Sequence, residues 1–281
     1  MSIDSVRRYY DECHFDYRIV WRLKQNLFIH FGYFDETCQE HAAALENMNR
    51  EMLKRTSISA SDRVLDAGCG VGGCSFWIAK QTRAMVTGIN IQPLHLELAR
   101  AECLRQGQAD RVSFENRDYC DTGFDMESFD VVWALESVCH CDDKRRFLCE
   151  AFRLLRPGGR LIVGDFIQLR QNLSRAQTRE MAIWLDGWAI PHLTGFGQFR
   201  KWIAQAGFID VAAENITPNV LRSSRRLFKA SLIVLPFSGL ATLMGWRTPR
   251  QTANVRASYY QYRTIGAGCW GYAIYSAVKP G

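Results

Sequence analysis

Residues 64–73 read VLDAGCGVGG: an apolar pair, then Asp66, then glycines at the alternate positions 68, 70 and 72. An apolar run that ends in a carboxylate and passes through spaced glycines into GCSFW spells a strand, a tight turn and the first turn of a helix. Glycine serves there because the turn asks for positive φ and because a Cβ would hold a ligand off the backbone. Such a segment is at home among alternating strands and helices, so it constrains the chain to an α/β fold with a nucleotide-like ligand against the turn.

The rest of the chain keeps that alternation. Strands are expected near residues 62–67, 84–89, 111–116, 129–135 and 158–167, with helices near 73–81, 93–106 and 142–155. RPGG at 156–159 is a turn leading into the fifth strand, and the whole pattern predicts a parallel sheet covered on both faces. After Phe166 the alternation loosens: helices over 173–189 and 196–207, a strand over 207–217, a basic helical stretch over 218–262 and a last strand over 270–278. The first 55 residues or so are helical and aromatic, apart from a loop in LFIHFGYFDE at 27–36. The expected organisation is an N-terminal helical cap, 1–56, on one ligand-binding domain, 57–281, with lid or cap insertions near 170–200 and 218–262.

Charge and cysteine usage exclude other classes. A net charge of +6, from 35 basic against 29 acidic residues, is mild for a nucleic-acid binder. No run reaches the ~18 consecutive apolar residues of a spanning helix. The longest apolar stretch of the C-terminal half, 232–243, is interrupted by Pro236, Ser238, Gly239 and Thr242. No export signal is expected, since the first residues lack an apolar core. Ten scattered cysteines without a CxxC pair read as reduced thiols of a cytoplasmic protein. Cys139-His140-Cys141 has no second ligand pair at suitable spacing, so no metal is expected there. The helical N-terminus offers a surface on which two copies would pack, so a homo-oligomer stays open.

A nicotinamide dinucleotide is the obvious rival ligand for the glycine turn, and two features oppose it. The acid expected ~20 residues on is missing, its place taken by Asn90, Ile91 and Gln92. Asp66 stands where dinucleotide folds carry an apolar residue, and a carboxylate there suits a cationic ligand better than a pyrophosphate. At these residues the chain resembles the S-adenosylmethionine loop of the class I methyltransferases. The ordered segments VTGINIQPLHLELAR (86–100), FENRDYCDTGF (114–124), FDVVWALESVCH (129–140) and LLRPGGRLIVGDF (154–166) extend that resemblance over about half the chain. It implies a Rossmann-like seven-stranded sheet with an antiparallel last strand, and S-adenosylmethionine as cofactor. It further implies that Asp66 and the backbone at Gly68, Gly70 and Gly72 hold the methionine part. Asn90, Ile91 and Gln92 would stand at the ribose, Asp118 and Tyr119 at the adenine edge, and Ala134 with Leu135 at the mouth.

For the methyl acceptor, ALESVCHCDDKRRFLCEAFRLLRPGG (134–159), HFGYFDE (30–36) and the C-terminal YRTIGAGCWGYAIYSAVKP are similar to the sterol and tocopherol C-methyltransferases and their small-molecule relatives. Methylating an alkene carbon leaves a carbocation, which needs aromatic faces and then a base to remove a proton. Glu136 and His140, four residues apart beyond the fourth strand, are the first candidates, followed by His30 and Tyr33. Tyr9, Tyr10, Trp21, Trp184 and Trp188 are the candidate acceptor contacts. Arg222, Arg225 and Arg226 would clamp a diphosphate, with magnesium assisting in that case. Each has a plainer reading: a helix cap for Glu136, core packing for the aromatics, a solvated helix face for the arginines. The expected activity is C-methylation of an isoprenoid-type alkene (prenyl diphosphate, sterol or prenyl quinol), with N- or O-methylation of a small metabolite as the alternative. A non-catalytic binder of the cofactor is the third class, opposed by Asp66, the intact glycines and Asp118.

Overall fold

The computed structural model of the protein describes residues 3–281, except for the side chains of Lys24 and Gln25. Three helices come first: α1 (Ile3–Val20), α2 (Leu23–Asn26) and α3 (His41–Lys54). The alternating part follows as β1 (Arg63–Ala67), α4 (Gly73–Thr82), β2 (Met85–Asn90), α5 (Pro93–Gln106), β3 (Val112–Asn116), β4 (Phe129–Leu135), a 3-10 turn at Val138–His140, α6 (Lys144–Leu154) and β5 (Leu155–Gln168). The remainder runs α7 (Arg175–Gly187), β6 (Thr194–Gly195), α8 (Phe196–Gln205), β7 (Ile209–Asn215), α9 (Thr217–Leu243), α10 (Pro249–Gly266) and β8 (Trp270–Val278).

These boundaries follow from local chemistry. Gln92 accepts from the Leu94 amide, Pro93 opens α5, and Gly107 at φ 63° ends it. Ser174 with Gln177 and Thr248 with Gln251 form capping boxes at the starts of α7 and α10. The basic stretch expected as one helical block is two helices, α9 and α10, broken at residues 244–248.

The strands lie in the order β3-β2-β1-β4-β5-β8-β7. β1 to β5 are parallel, and β8 runs antiparallel between β5 and β7. The two-residue β6 beside the end of β5 adds an eighth strand to the seven expected. β1 and β4 are buried along nearly their whole lengths, as strands covered on both faces must be. Side chains therefore alternate between two layers: Trp133 and Leu135 face the layer that holds Phe31, Phe166 and Tyr272, while Val132 and Ala134 face the layer of Phe147 and Tyr275.

Trp184 of α7 is fully buried against Trp270 of β8, with ring centroids 4.2 Å apart. It belongs to the core, and truncating such a ring leaves a large cavity. Trp184→Ala is expected to cost about 3–5 kcal/mol in urea unfolding, a loss that a side chain lining an open cavity would not produce.

α1 is clasped from two sides. Arg7 Nε donates to the Ile91 carbonyl at 2.8 Å, and Gln92 Nε2 returns bonds to the Arg7 carbonyl and Asp11 Oδ1. On the other side Arg247 forks onto Asp16 at 3.1 and 2.7 Å, and Thr248 Oγ1 donates to Glu12 Oε2. This clasp holds α1 over the C-terminal ends of the parallel strands, where ligands gather in such sheets.

Candidate active site

Two cavities meet under α1. The first holds about 710 Å³ of empty space, mouth included, and lies against the glycine turn. Gly68, Gly70 and Gly72 adopt φ of 92°, 55° and 89°. At Gly68 a Cβ would stand 2.3 Å from the Ser137 Cβ, so the turn is pressed against the chain leaving β4. The buried Asp66 accepts the Ser75 hydroxyl at 2.6 Å and so ties β1 to the first turn of α4. Burial pushes its carboxyl up to about 6, so a cationic group in this cavity would favour its ionised form. Asn90 and Tyr119 border the same space, Asn90 Nδ2 donating to the Gly70 carbonyl and the Tyr119 hydroxyl to the Ser137 carbonyl. Bare turn backbone, a buried acid and these polar side chains fit an aminoacyl nucleoside with a positive charge.

The second cavity holds about 1040 Å³ of empty space, mouth included, with walls from Tyr17, Trp21, Phe31, Phe166, Trp188 and Leu227. Tyr10, Ile29, Glu136 and His140 line both cavities, so any group passing between them passes these four residues.

His140 sits in the 3-10 turn after β4 with both ring nitrogens engaged. Nδ1 donates to the Ala189 carbonyl at 2.9 Å, which leaves Nε2 to accept from the Tyr10 hydroxyl at 2.9 Å. Burial pushes the imidazole down to about 4, so the ring is neutral and Nε2 keeps its lone pair. Glu136, at φ 50°, has the opposite character. Its Oε1 accepts the Phe31 amide at 2.6 Å and the Tyr272 hydroxyl at 2.9 Å, and burial raises the carboxyl well above its usual range.

Several residues expected at the site lie elsewhere. Ala134 points into the opposite layer, and Leu135 and Glu136 border the cofactor cavity instead. Gln92 is occupied with α1 and the α5 cap, leaving Asn90 and Ile91 on the cavity wall. Asp118 borders a smaller adjoining recess, where its Oδ1 accepts the Cys120 amide. His30 reaches the cofactor cavity but not the second one, with Nδ1 donating to the Phe31 carbonyl and Nε2 facing the Asn49 amide at 3.4 Å, so it stands away from the junction where His140 sits. Tyr33 borders neither cavity, and its backbone ties residues 27–40 to α3.

Among the acceptor contacts, Trp21 and Trp188 line the second cavity. Tyr9 lies behind it, its hydroxyl bonded to Tyr17 and Asn254, and Trp184 is core. Arg222 lies on the surface over Phe34 with Gln39 as partner, Arg225 is exposed, and Arg226 donates to the Val20 carbonyl. None of the three lines the second cavity, whose charged groups are Glu136 and the mutually paired Asp16 and Arg247. Among the described residues no group of three His, Cys, Asp or Glu is placed to hold a metal ion. Sequence reasoning missed Ser137, Phe31 and Tyr272, which fix the turn and Glu136; no local signal marks them, because their partners are remote in the chain.

A methyltransferase domain model matches residues 65–163. The methyltransferase GfsG of Streptomyces halstedii is 39% identical over 141 residues, 50% of this chain and 51% of that one, so the shared stretch spans about half of that relative. The erythromycin 3''-O-methyltransferase of Saccharopolyspora erythraea is 30% identical over 209 residues, 70% of this chain and 67% of that one. Other relatives bearing O-methyltransferase names occur in fungi and rice. Among solved structures, the 4+2 cyclase SpnF superposes with a TM-score of 0.80 at 21% identity, covering 98% of this chain and 95% of that one. Geranyl diphosphate C-methyltransferase from Streptomyces coelicolor A3(2), crystallised with Mg2+, geranyl diphosphate and S-adenosyl-L-homocysteine, gives 0.75 at 15% identity over 99% and 97% of the two chains. At these identities the structures speak for the fold alone. The sheet, the glycine turn and the shared sequence make this chain a member of the S-adenosylmethionine-dependent methyltransferase family, an enzyme that acts on small molecules.

Proposed function

We propose that the enzyme methylates a hydroxyl oxygen of a large, mostly apolar acceptor bound in the second cavity, with His140 taking the hydroxyl proton. The observation that carries this reading is the neutral imidazole at the junction of the two cavities, its Nε2 turned to a hydroxyl and its Nδ1 fixed by the Ala189 carbonyl. When bound, S-adenosylmethionine supplies an electrophilic methyl group. Asp66, Asn90 and the turn backbone at Gly68 and Gly70 would hold it, with Tyr119 at its far end.

An acceptor hydroxyl takes the place of the Tyr10 hydroxyl at Nε2, and its proton passes to that nitrogen as the O–CH3 bond forms. The apolar walls position the acceptor, and positioning supplies most of the rate in a direct transfer. The segment from α1 through α3 serves as the lid of both cavities in this reading, through Tyr10 and Ile29, with Phe31 over the second. The ten free thiols suit a cytoplasmic enzyme.

Carbon methylation is the second reading, favoured by one observation: aromatic faces suited to a cation crowd the junction, with Tyr10, Phe31, Phe166 and Trp188 around Glu136. Its diphosphate form, and magnesium with it, loses support because Arg222, Arg225 and Arg226 stand outside the cavity.

Glu136→Gln separates the two readings. The amide oxygen still accepts from Phe31 and Tyr272, so oxygen methylation is expected to fall less than about tenfold, whereas loss of a base costs about 10²–10⁴ in rate. Products formed from methyl-labelled S-adenosylmethionine and a panel of hydroxylated apolar compounds, read by NMR as C–O–CH3 or C–CH3, decide the atom directly. Carbon-bound label, abolished in the Glu136→Gln protein, would overturn the oxygen reading.

A further inference from the structure

We propose that the tip of the α9–α10 hairpin docks on an anionic lipid bilayer, bringing the mouth of the acceptor cavity against the membrane surface. The proposal holds whichever atom is methylated.

The second half of α9 is exposed along one stripe. Ile233 is 72% exposed, Phe237 71%, Leu240 60% and Leu243 86%, followed by Trp246 at 74% in the connection to α10. On a helix their spacing of three and four residues puts the first four on a single face. Soluble monomers rarely leave a contiguous apolar patch of this size uncovered.

The same stripe changes character one turn earlier. Lys229 precedes Ile233 by four residues, Arg225 precedes Lys229 by four, and Arg222 continues the row; all three are exposed. The helix thus presents basic side chains and then apolar ones along one line, with a tryptophan at the tip. Basic residues at headgroup level and apolar or indole side chains at the acyl boundary are what interfacial anchoring needs.

Charge selects the occupant. Between residues 216 and 281 the chain has nine Lys and Arg and no Asp or Glu, so this segment carries +9 while the whole chain carries +6. Arg247, Arg250, Arg263 and Lys279 pair with Asp16, Glu12, Glu180 and Glu127 of other elements, so among the described residues the positive charge left to the surface lies on the α9 row of Arg222, Arg225 and Lys229 and on Arg256. A second copy seated on the stripe would bring two such segments together, whereas anionic headgroups would neutralise one.

α9 passes as membrane-spanning by length and composition alone, but its first half is fixed to the body through Val220, Ser223, Ser224 and Leu227. Only the tip is free, so α9 dips into the surface without crossing it. From Ile233 to Leu243 the helix rises roughly 15 Å at 1.5 Å per residue, enough to reach the acyl boundary of one leaflet. The acceptor cavity opens on this side. Its rim includes Val234 of α9 and the exposed Phe15 and Ile19 of α1. An apolar acceptor dissolved in the bilayer would meet the cavity without crossing water.

The test is co-sedimentation of the full chain with vesicles of phosphatidylcholine alone or with one third phosphatidylglycerol, at low and high salt. Binding is expected only with the anionic vesicles, and weaker at high salt. Arg225→Glu/Lys229→Glu should weaken it by roughly fivefold or more per charge. Ile233→Ser/Phe237→Ser/Leu240→Ser should weaken it at least about tenfold. These side chains are exposed, so both variants should keep the wild-type melting temperature and S-adenosylmethionine affinity. Equal sedimentation with and without anionic lipid overturns the proposal. So does a wild-type dimer in analytical ultracentrifugation that the triple serine variant converts to monomer, since a second copy then covers the stripe.

Discussion

His140→Ala is expected to lower kcat by about 10²–10⁴, some 3–5 kcal/mol of transition-state stabilisation, while the affinity for S-adenosylmethionine changes less than about tenfold. Nε2 lies at the junction and accepts from a hydroxyl, so its removal takes away the imidazole nitrogen that faces both cavities. Glu136 is a poor substitute, since its Oε1 already accepts the Phe31 amide and the Tyr272 hydroxyl. A second readout distinguishes a proton acceptor from a merely packed ring. The imidazole titrates near 4, so wild-type kcat should stay flat from pH 8 to about 5 and fall as protonation sets in at lower pH. An ordinary histidine, with pKa about 6.5, would have lost half its activity by about pH 6.5 and nearly all of it by about pH 5. Tyr10→Phe should cost about tenfold at most, because Tyr10 holds the lone pair's place and an acceptor hydroxyl then takes it. A His140→Ala enzyme within threefold of wild type, or an acid limb near 6.5, would remove His140 from the chemistry.

The cofactor turn was legible because its chemistry is local. Asp66 and Ser75 are nine residues apart, and the whole strand, turn and helix lie in one continuous stretch. The acceptor side was poorly legible because its contacts are remote: Glu136 is fixed by Phe31 and Tyr272, 105 and 136 residues away, and His140 by Tyr10, 130 residues away. Parity explains the error at Ala134. Neighbours on a strand face opposite layers, so a one-residue misreading moves a side chain from the cavity to the far side of the sheet.

Helical spacing failed in a related way. Trp188 caps α7 one turn after Trp184, yet Trp184 packs on Trp270 while Trp188 reaches the cavity. Spacing gives the face, and only packing tells which end of it meets a ligand. The arginines belong to the same case. Arg222 and Arg225 share a face of α9, and that face looks outward. Gln92 was drawn away from the cofactor by α1, an element whose position nothing in the VTGINIQ segment reveals.

Gly68→Ala is expected to unfold the cofactor turn's geometry while leaving the sheet recognisable: a loss of about 2–5 kcal/mol in stability and at least about a hundredfold in S-adenosylmethionine affinity. Two costs add. A side chain at φ 92° carries left-handed strain of roughly 1–2 kcal/mol. The new Cβ would also stand 2.3 Å from the Ser137 Cβ, and overpacking of that kind costs about 1–3 kcal/mol. Ser137 cannot step aside, since it is buried and its hydroxyl donates to the Ala67 carbonyl at 2.6 Å, the residue that enters the turn. The turn must therefore move, and the backbone that would hold the cofactor moves with it. Gly107→Ala isolates the strain: φ is 63° and nothing lies within 4 Å of its Cβ, so only about 1 kcal/mol should be lost and cofactor affinity kept. Adding Ser137→Gly to Gly68→Ala should restore the overpacking part and much of the affinity, because a glycine at 137 removes the atom that the alanine strikes. Calorimetric titration and urea unfolding of the three proteins separate the two costs. If Gly68→Ala proved as mild as Gly107→Ala, the turn would not be held by Ser137, and the position of the cofactor cavity against it would have to be redrawn.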